Sequence, residues 1–231
     1  IRWKRRNVSI DATQVGQPIA VSAKRAIVTL PLGILQLPPQ SPNAVRFVPA
    51  LDAKQKALAG LATGPVVKGI LRFREPFWEA LDDGRYRDAA FFHDPHAAFP
   101  TMWTTLPLRA SLLIAWAAGP NAARLSGRPE EEVVKTALDC VVKLFGKKAD
   151  SAGYFQGAYS HDWQSDPFAC GAYSYVVAGG GKAREALARP LGGTLFFAGE
   201  AAETGGESGT VTGALAAEFP GITLRRLYRR G

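Results

Sequence analysis

A short apolar run near residue 195 constrains the fold more than any other feature of the sequence. Leu195-Phe196-Phe197-Ala198 has the length and composition of a buried strand, which would end at Gly199-Glu200. The glycines that follow let the backbone turn tightly, and residues 209–217 can then begin a helix. A buried strand followed by a turn and a helix is typical of an α/β fold with parallel strands.

In α/β folds that bind dinucleotides, such a unit occurs together with a GxGxxG turn after an early strand. No GxGxxG sequence occurs near the start of the chain, and no strand, glycine loop and helix precede residue 20. The run Gly179-Gly180-Gly181-Lys182 lacks the spacing of a P-loop. We therefore expect parts of a nucleotide-binding fold without the segment that binds the diphosphate.

The middle of the chain has the patterns of a sheet flanked by helices. Residues 66–73 alternate like a half-buried strand, with Lys68 on the more polar face. Pro129 and the three glutamates after it predict a helix start, and Lys147 and Lys148 near its end suit the helix dipole. The other predicted strands are 3–10, 18–30, 89–93, 101–106, 111–118 and 154–159, and a further helix is predicted at 53–62.

The net charge of +8 admits a nucleic-acid or membrane-surface partner. No zinc-finger, RNP or helix-turn-helix pattern accompanies this charge, so we do not expect nucleic acid. The longest apolar run, near residues 111–118, is too short to span a bilayer, so no membrane partner is expected either. The basic residues concentrate in two clusters, Arg2/Lys4/Arg5/Arg6 and Arg225/Arg226/Arg229/Arg230.

Cysteines and histidines do not predict a metal site. Cys140 and Cys170 lack the spacing of metal ligands and form no disulfide framework, which favours a reducing, cytoplasmic compartment. His93 and His96 lie on a short loop without further ligands, where a solvated turn is expected.

Four short motifs follow one another along most of the chain, each weak alone. They are Thr29-Leu30-Pro31-Leu32-Gly33; Val67-Lys68-Gly69-Ile70-Leu71-Arg72-Phe73 with Pro76-Phe77-Trp78; Trp163-Gln164-Ser165-Asp166-Pro167-Phe168 with Gly171-Ala172-Tyr173-Ser174-Tyr175; and Phe196-Phe197-Ala198-Gly199-Glu200 with Gly209-Thr210-Val211-Thr212-Gly213-Ala214.

In this order the motifs resemble the flavin amine oxidases, a family that includes polyamine oxidases, monoamine oxidases and lysine-specific histone demethylases. The resemblance is greatest to the polyamine oxidase and demethylase branch. It implies oxidation of an amine to an imine by hydride transfer to N5 of FAD, followed by reduction of O2 to H2O2. Polyamines or small monoamines are the expected substrates.

The resemblance implies three catalytic residues, Lys68, Tyr173 and Thr210. From its pattern alone, Lys68 reads as a lysine that extends to solvent from an apolar or edge strand. In the family, the matching lysine holds a water against the flavin N5. Tyr173 matches an aromatic wall beside the flavin, although an isolated tyrosine would read as core. Thr210 stands where monoamine oxidases have a second tyrosine, which implies a roomier pocket.

The resemblance also implies the residues that bind FAD. Glu200 matches a glutamate that accepts hydrogen bonds from the ribityl or phosphate region, and Thr210 and Val211 would place helix N–H groups at the flavin N1/O2 edge. Ala172 stands at the position of the cysteine that bonds covalently to flavin in monoamine oxidases, so FAD should be non-covalent. The other expected cofactor-binding residues are Gly199, Trp163, Phe168 and Pro31, with Trp163 equally consistent with a core aromatic.

The expected fold is α+β, with a mixed β-sheet substrate domain flanked by helices and incomplete parts of a Rossmann-like FAD-binding domain. We predict an FAD-domain strand segment at 1–33, a substrate-binding domain at 34–162 and a C-terminal FAD-domain segment at 163–231. A proline-rich link at 38–49 reads as the crossing between domains. Glu218-Phe219-Pro220-Gly221 would interrupt the last helix.

Two interpretations of function stay open. In the first, the chain is part of an amine oxidase, needs a missing FAD-binding segment or partner chain, and neither retains FAD nor acts alone. In the second, it is an inactive domain or a module that binds a protein or nucleic acid. A desaturase or an L-amino-acid oxidase is a third possibility within the flavoproteins.

Overall fold

We describe the fold from a computed structural model, which describes residues 1–146 and 151–217. The strands are β1 (Arg2–Lys4), β2 (Asn7–Gln14), β3 (Gln17–Ala23), β4 (Ala26–Val28), β5 (Leu61–Thr63), β6 (Val66–Phe73), β7 (Phe91–His93), β8 (Thr101–Trp103), β9 (Leu112–Ala118), β10 (Phe155–Asp162), β11 (Ser174–Val176) and β12 (Leu195–Phe197). The helices are α1 (Leu32–Leu35), α2 (Asp52–Ala59), α3 (Gly119–Leu125), α4 (Glu130–Phe145), α5 (Ser151–Tyr154), α6 (Ala183–Ala188) and α7 (Val211–Ala216), with 3-10 segments at Phe77–Gly84 and Glu200–Ala202.

The chain mixes helices and strands, as predicted, and divides into two compact units. The first unit contains residues 1–64 and the stretch from Pro167 onward, and the second contains residues 65–166. The proline-rich segment at 38–49 lies inside the first unit, and the chain passes between units at Gly64-Pro65 and Asp166-Pro167. The domain divisions at 33/34 and 162/163 concern function and stay predictions.

Several predicted elements lie outside the described residues or have different bounds. Lys147, Lys148, the predicted interruption at 218–221 and the four C-terminal arginines are outside the described part of the chain. The single strand predicted at 18–30 is wrong: it is divided into β3 and β4, which belong to different sheets. β2 and β3 pair up to Gln14 and Gln17, so the turn between them is confined to Val15-Gly16, where both residues have positive φ.

The first unit contains a parallel pair of strands that are far apart in sequence. β4 pairs with β12, with Ala26 opposite Leu195 and Val28 opposite Phe197. Apolar residues of this pair are buried together with residues of α1 and α2. Beside the pair, β1, β2 and β3 form an antiparallel sheet, and β11 pairs with β5.

The second unit is a five-stranded sheet in the order β10-β6-β9-β8-β7. All of its strand pairs are antiparallel, so the prediction of a mixed substrate-domain sheet is wrong. Alternation along a strand shows which face is buried, but it does not show strand direction. Helices α3 and α4 cover one face, and the buried core lies between them and the sheet.

No helix of the described residues is both long enough and apolar enough to cross a membrane.

Candidate functional site

Lys68 lies on the face of the second unit's sheet that is opposite the helix-covered core. Val67 and Leu71 of β6 are buried in that core, whereas Lys68 is half-buried on the other face. Its Nζ lies 5.3 Å from the centroid of the Trp103 ring, within the range of a cation–π contact. Lys68 therefore has an aromatic neighbour, Trp103, which the sequence analysis did not identify.

The register of the sheet places further aromatic side chains on the same face. Residues directly opposite each other in antiparallel strands share a face, as do residues two apart along a strand. Lys68 stands opposite His161 on β10 and Trp116 on β9, and Trp116 stands opposite Thr101 on β8. We name this surface the Lys68 face, and its members used below are Lys68, Arg72, His93, Trp103, Trp116, Tyr159 and His161.

His161 is hydrogen-bonded to a carboxylate. Its Nε2 lies 2.9 Å from Oδ2 of Asp166, and because a carboxylate only accepts, Nε2–H is the donor. The other ring nitrogen, Nδ1, lies 3.4 Å from the hydroxyl of Tyr159. The edge of the Trp163 ring packs against the imidazole, with the ring centroids 4.3 Å apart.

Asp162 fixes the turn that follows β10 and carries Trp163. Its Oδ2 accepts hydrogen bonds from the hydroxyls of Ser126 and Ser165, both at 2.7 Å, and from the Gly127 amide at 2.9 Å. Burial raises the pKa of Asp162, but these bonds and one from the Gln164 amide outweigh it and hold the pKa below its usual value.

In the first unit, Gly199 and Glu200 directly follow the parallel strand β12. Gly199 has φ 112°, a conformation that favours glycine. The Glu200 carboxylate accepts hydrogen bonds from the Ser174 amide at 3.2 and 3.3 Å and from its hydroxyl at 2.8 Å. Arg184 donates to the Ser174 hydroxyl and carbonyl and to the Glu200 carbonyl, at 2.8–2.9 Å. The predicted glutamate is therefore held by two residues that the sequence did not identify.

Tyr173 and Gly209 lie close together in the first unit. The backbone carbonyl of Tyr173 accepts a hydrogen bond from the Gly64 amide, and its ring is 49% exposed. A Cβ placed on Gly209 would stand 3.6 Å from the Tyr173 Cβ, so the glycine-rich turn runs beside this tyrosine. Glu200, Tyr173 and the start of α7 all belong to this unit.

Thr210 caps α7 with its side chain. Its Oγ1 accepts a hydrogen bond from the Gly213 amide at 2.9 Å and donates one to the Glu207 carbonyl at 2.7 Å. This is the usual N-cap arrangement, so the hydroxyl is engaged within the chain. Val211, the first residue of α7, is 78% exposed.

The remaining predicted site residues lie in both units. Pro31 precedes α1 and Phe168, 80% exposed, follows the crossing into the first unit, whereas Trp163, 39% exposed, belongs to the second unit. Exposure of Trp163 and Phe168 does not fit core aromatics. Among the described residues, no group of three or more histidine, cysteine or acidic side chains has the geometry of a metal site.

The buried carboxylate of Glu203 is a second group in the first unit that could bind a cofactor rich in hydroxyl groups. Its side chain is 4% exposed, and its Oε2 is buried without a hydrogen-bond partner in the described part of the chain. Its Oε1 accepts a bond from the Gly205 amide. A buried carboxylate oxygen that still needs a donor suits the hydroxyls of a ribityl or ribose group. The residues around Glu200 and Glu203 therefore fit FAD, although the sequence drew attention only to Glu200.

Comparison with known proteins shows which family the chain is similar to. The model of the family described as "Flavin containing amine oxidoreductase" matches residues 1–217. Human lysine-specific histone demethylase 2 is 33% identical over 204 residues, which cover 84% of this chain and 23% of that protein. Polyamine oxidase 5 of Oryza sativa subsp. japonica is 30% identical over 218 residues, covering 91% of this chain and 40% of that protein.

Solved structures show the same fold. Cyclohexylamine oxidase from Brevibacterium oxydans IH-35A superimposes with a TM-score of 0.72 at 22% identity, over 94% of this chain and 44% of that one. The chain thus spans less than half the length of these relatives. The family match over residues 1–217 confirms the resemblance of the four motifs, and the chain belongs to the flavin-containing amine oxidoreductases.

Proposed function

We propose that this chain forms part of the active site of an FAD-dependent amine oxidase. The observation that carries the proposal is Lys68, a half-buried lysine on a largely apolar strand, over an aromatic ring and opposite a histidine. A lysine with no acidic partner in the described structure suits a role toward water or a ligand. The family membership supports the same chemistry.

Residues of the first unit would hold the cofactor. Glu200 and Glu203 offer carboxylate oxygens to hydroxyl groups, and Gly199 lets the backbone approach closely. Ala172 has no thiol, so FAD would be bound without a covalent bond. A bound FAD supplies the oxidation of the amine to an imine and the reduction of O2 to H2O2.

In the second unit, Lys68 would bind a water, and the ring of Trp116 on the Lys68 face would offer an apolar surface to a substrate. In the first unit, Tyr173 offers an exposed ring against which a ligand can be aligned. Small monoamines and polyamines fit this chemistry, and some relatives are named polyamine oxidases.

The proposal includes a second component, because the 231 residues contain no GxGxxG sequence. Another segment, in the same polypeptide or in a partner, would bind the FAD diphosphate. In this proposal residues 1–33 and 163–231 belong to the FAD-binding part, and residues 34–162 belong to the substrate-binding part. The chain alone should then bind FAD weakly.

The first test is the flavin absorbance spectrum of the purified chain with and without added FAD. We expect little bound flavin until the GxGxxG segment is supplied, and then anaerobic bleaching by benzylamine or putrescine with H2O2 formed in air. Bleaching by neither amine, nor by any of a panel of primary and secondary amines, would contradict the oxidase assignment and favour a binding module.

The Lys68→Met variant tests the role of the lysine. We expect the flavin-loaded protein to lose about 100-fold in the rate of the slowest oxidative step, the size of a lost proton-transfer or water-positioning group. Arg72→Met is the matched control, because Arg72 lies on the same strand and face but is exposed. If Lys68→Met and Arg72→Met had the same rate for this step, Lys68 would have no part in the mechanism. Stopped-flow absorbance separates flavin reduction from its reoxidation.

A further inference from the structure

We propose that His161, oriented by Asp166, is the base that accepts the proton of the substrate ammonium group. This inference rests on the proposed amine oxidation and names a residue that the four motifs do not include. A primary amine is mostly protonated at neutral pH, and an ammonium nitrogen has no lone pair to support departure of hydride from its α-carbon. An amine oxidase therefore gains from a base beside the place where the amine binds.

The hydrogen bonds of His161 engage Nε2 strongly and leave Nδ1 as the nitrogen that can accept a proton. Nε2–H donates to Asp166 at 2.9 Å, so in the neutral ring the lone pair is on Nδ1. The Tyr159 hydroxyl at 3.4 Å from Nδ1 is too distant for a strong hydrogen bond. A carboxylate that holds one imidazole nitrogen orients the ring and stabilises the imidazolium that forms when the other nitrogen takes a proton.

The position of His161 in the sheet fits a substrate-facing role. It stands directly opposite Lys68, where the Cβ atoms of paired residues lie about 5 Å apart. The side chain of His161 is 31% exposed and that of Asp166 is 18% exposed, so the pair is accessible but partly shielded from water. The edge of the Trp163 ring packs against the imidazole, with the ring centroids 4.3 Å apart, and helps to hold the orientation of His161.

The proton passes from the ammonium group of the substrate to His161, and no other reactant is needed. The N–H bond of the ammonium group breaks, its electron pair stays on the amine nitrogen, and a new N–H bond forms at His161 Nδ1. The imidazolium then carries the charge that the substrate lost, next to the Asp166 carboxylate. The neutral amine is the species that the proposed oxidation consumes.

Charged and titratable residues of the described chain lie around His161, and Asp162 directly follows it in the sequence. Asp166 bonds its Nε2, Tyr159 lies on its own strand, and Lys68 faces it from β6. His93 offers a matched control, because it lies on the Lys68 face at β7 but is hydrogen-bonded to the Thr101 hydroxyl at 3.2 Å instead of a carboxylate. A histidine in that setting lacks the partner that would stabilise its charged form.

The first arm of the test needs no flavin. Long-range ¹⁵N–¹H NMR spectra of the purified chain should show His161 as the Nε2–H tautomer, and its three histidines can be assigned with His161→Gln and His93→Gln. Titration with n-butylamine should shift the His161 ring signals and leave those of His93 and His96 in place. No shift of His161 at saturating amine, or an equal shift of all three, would overturn the inference.

The second arm is the pH dependence of kcat/KM in the flavin-loaded protein. We expect His161→Gln to lower kcat/KM about 100-fold at pH 7 and to recover toward pH 10, where the amine loses its proton to water. Asp166→Asn should act in the same direction but less, and His93→Gln should keep the wild-type profile. If His161→Gln and Asp166→Asn both kept the wild-type pH dependence of kcat/KM, the inference would be overturned and amine oxidation would stand.

The two arms separate the inference from the function on which it rests. If no amine is oxidised, the proposed function fails, and the NMR titration still decides whether His161 meets an amine. If amines are oxidised, the pH profiles of the His161→Gln and Asp166→Asn variants decide whether the His161–Asp166 pair accepts the proton of the amine.

Discussion

At the scale of single residues, Asp162 shows how one carboxylate can fix the backbone next to a site. It accepts four hydrogen bonds, from Ser126, Gly127, Gln164 and Ser165, and so joins the end of β10 to the turn after α3. These bonds hold the turn that carries Trp163 and lies next to the His161–Asp166 pair. Since they favour the ionised carboxylate, they lower its pKa despite burial.

Asp162→Asn should lower the free energy of unfolding by about 2 kcal/mol at pH 7, the size of hydrogen bonds to a charged group. Because the pKa of Asp162 is depressed in the folded protein, its contribution is complete above the unfolded-state value near pH 4 and is lost as the pH falls through the lower folded value. Urea denaturation between pH 7 and pH 3 should therefore show the variant and wild type converging.

Asp11→Asn is the control for that measurement. Asp11 pairs with Arg2 at 2.7 Å, but both side chains are more than half exposed, so its loss should cost less than about 1 kcal/mol. An Asp162→Asn effect no larger than this, or one that does not begin to shrink below about pH 4, would show that the ionised carboxylate does not organise the turn.

The residue scale also shows what the sequence could predict of the site. Lys68 was identifiable because a charged residue interrupts an apolar alternating strand and because the motif around it resembles the family. Trp103, Ser174, Arg184 and the His161–Asp166 pair were not identified, because they meet their partners through strand register or tertiary contacts. The spacing of residues along the sequence does not show which residues of two paired strands stand opposite each other.

At the scale of elements, the end of α6 depends on a lysine from another helix. Lys54 of α2 is 1% exposed, and its Nζ donates to the carbonyls of Ala186, Leu187 and Arg189. Carbonyls at a helix C-terminus lack partners within the helix, so a cation there satisfies them. Burial, and secondarily the charge of Arg189, lower the pKa of Lys54 to about 8.

Lys54→Met should destabilise the protein by about 3 kcal/mol at pH 7, because buried carbonyl groups lose their donor. Lys56→Met, on the exposed side of the same helix, should change stability by less than about 0.5 kcal/mol. Thermal or urea unfolding of the two variants measures the difference. Similar losses in both would mean that the α6 carbonyls find other partners.

The lowered pKa of Lys54 also predicts a pH dependence. Between about pH 8 and the ordinary lysine value of 10.5, the unfolded chain holds a proton that the folded chain has released. The free energy of unfolding should therefore rise with pH in this window, relative to the Lys54→Met variant, by up to about 1.4 kcal/mol per pH unit. A parallel pH dependence of variant and wild type would contradict the shift.

Long, strongly patterned elements were predictable, and several short ones were not. Residues 66–73 form β6 in the predicted bounds, and α4 begins one residue after Pro129 as expected. Helices α1 and α6 and strand β11 were missed, because elements of three to six residues are stabilised by their tertiary neighbours more than by their own periodicity. The proline-rich segment contains turn signals, but these do not indicate whether a chain leaves a domain.

At the scale of the whole molecule, the two units have separate cores. All residues of one buried cluster lie between Val67 and Val141, and all residues of the other lie before Gly64 or after Pro167. The ends of the second unit are also joined, since the Trp163 amide donates to the Val66 carbonyl at 3.1 Å. A core and paired ends within one stretch of chain are the properties of a domain that can fold alone.

Residues 65–166 expressed alone should therefore unfold cooperatively, with a single transition by circular dichroism and by tryptophan fluorescence. Residues 1–64 alone should not, because β4 needs β12 as its partner. Non-coincident or absent transitions for 65–166 would show that the second unit depends on the first.

The pairing of β4 with β12 has a consequence for the synthesis of the protein. β4 ends at Val28 and its partner begins at Leu195, with the whole second unit between them. At ribosomal rates of 5–20 residues per second, roughly 10–30 s separate the emergence of the two strands. During that time the second unit can complete its sheet, while β4 is without its partner strand. β4 is thus made well before the strand that completes its pairing, and until then its apolar edge is exposed to aggregation.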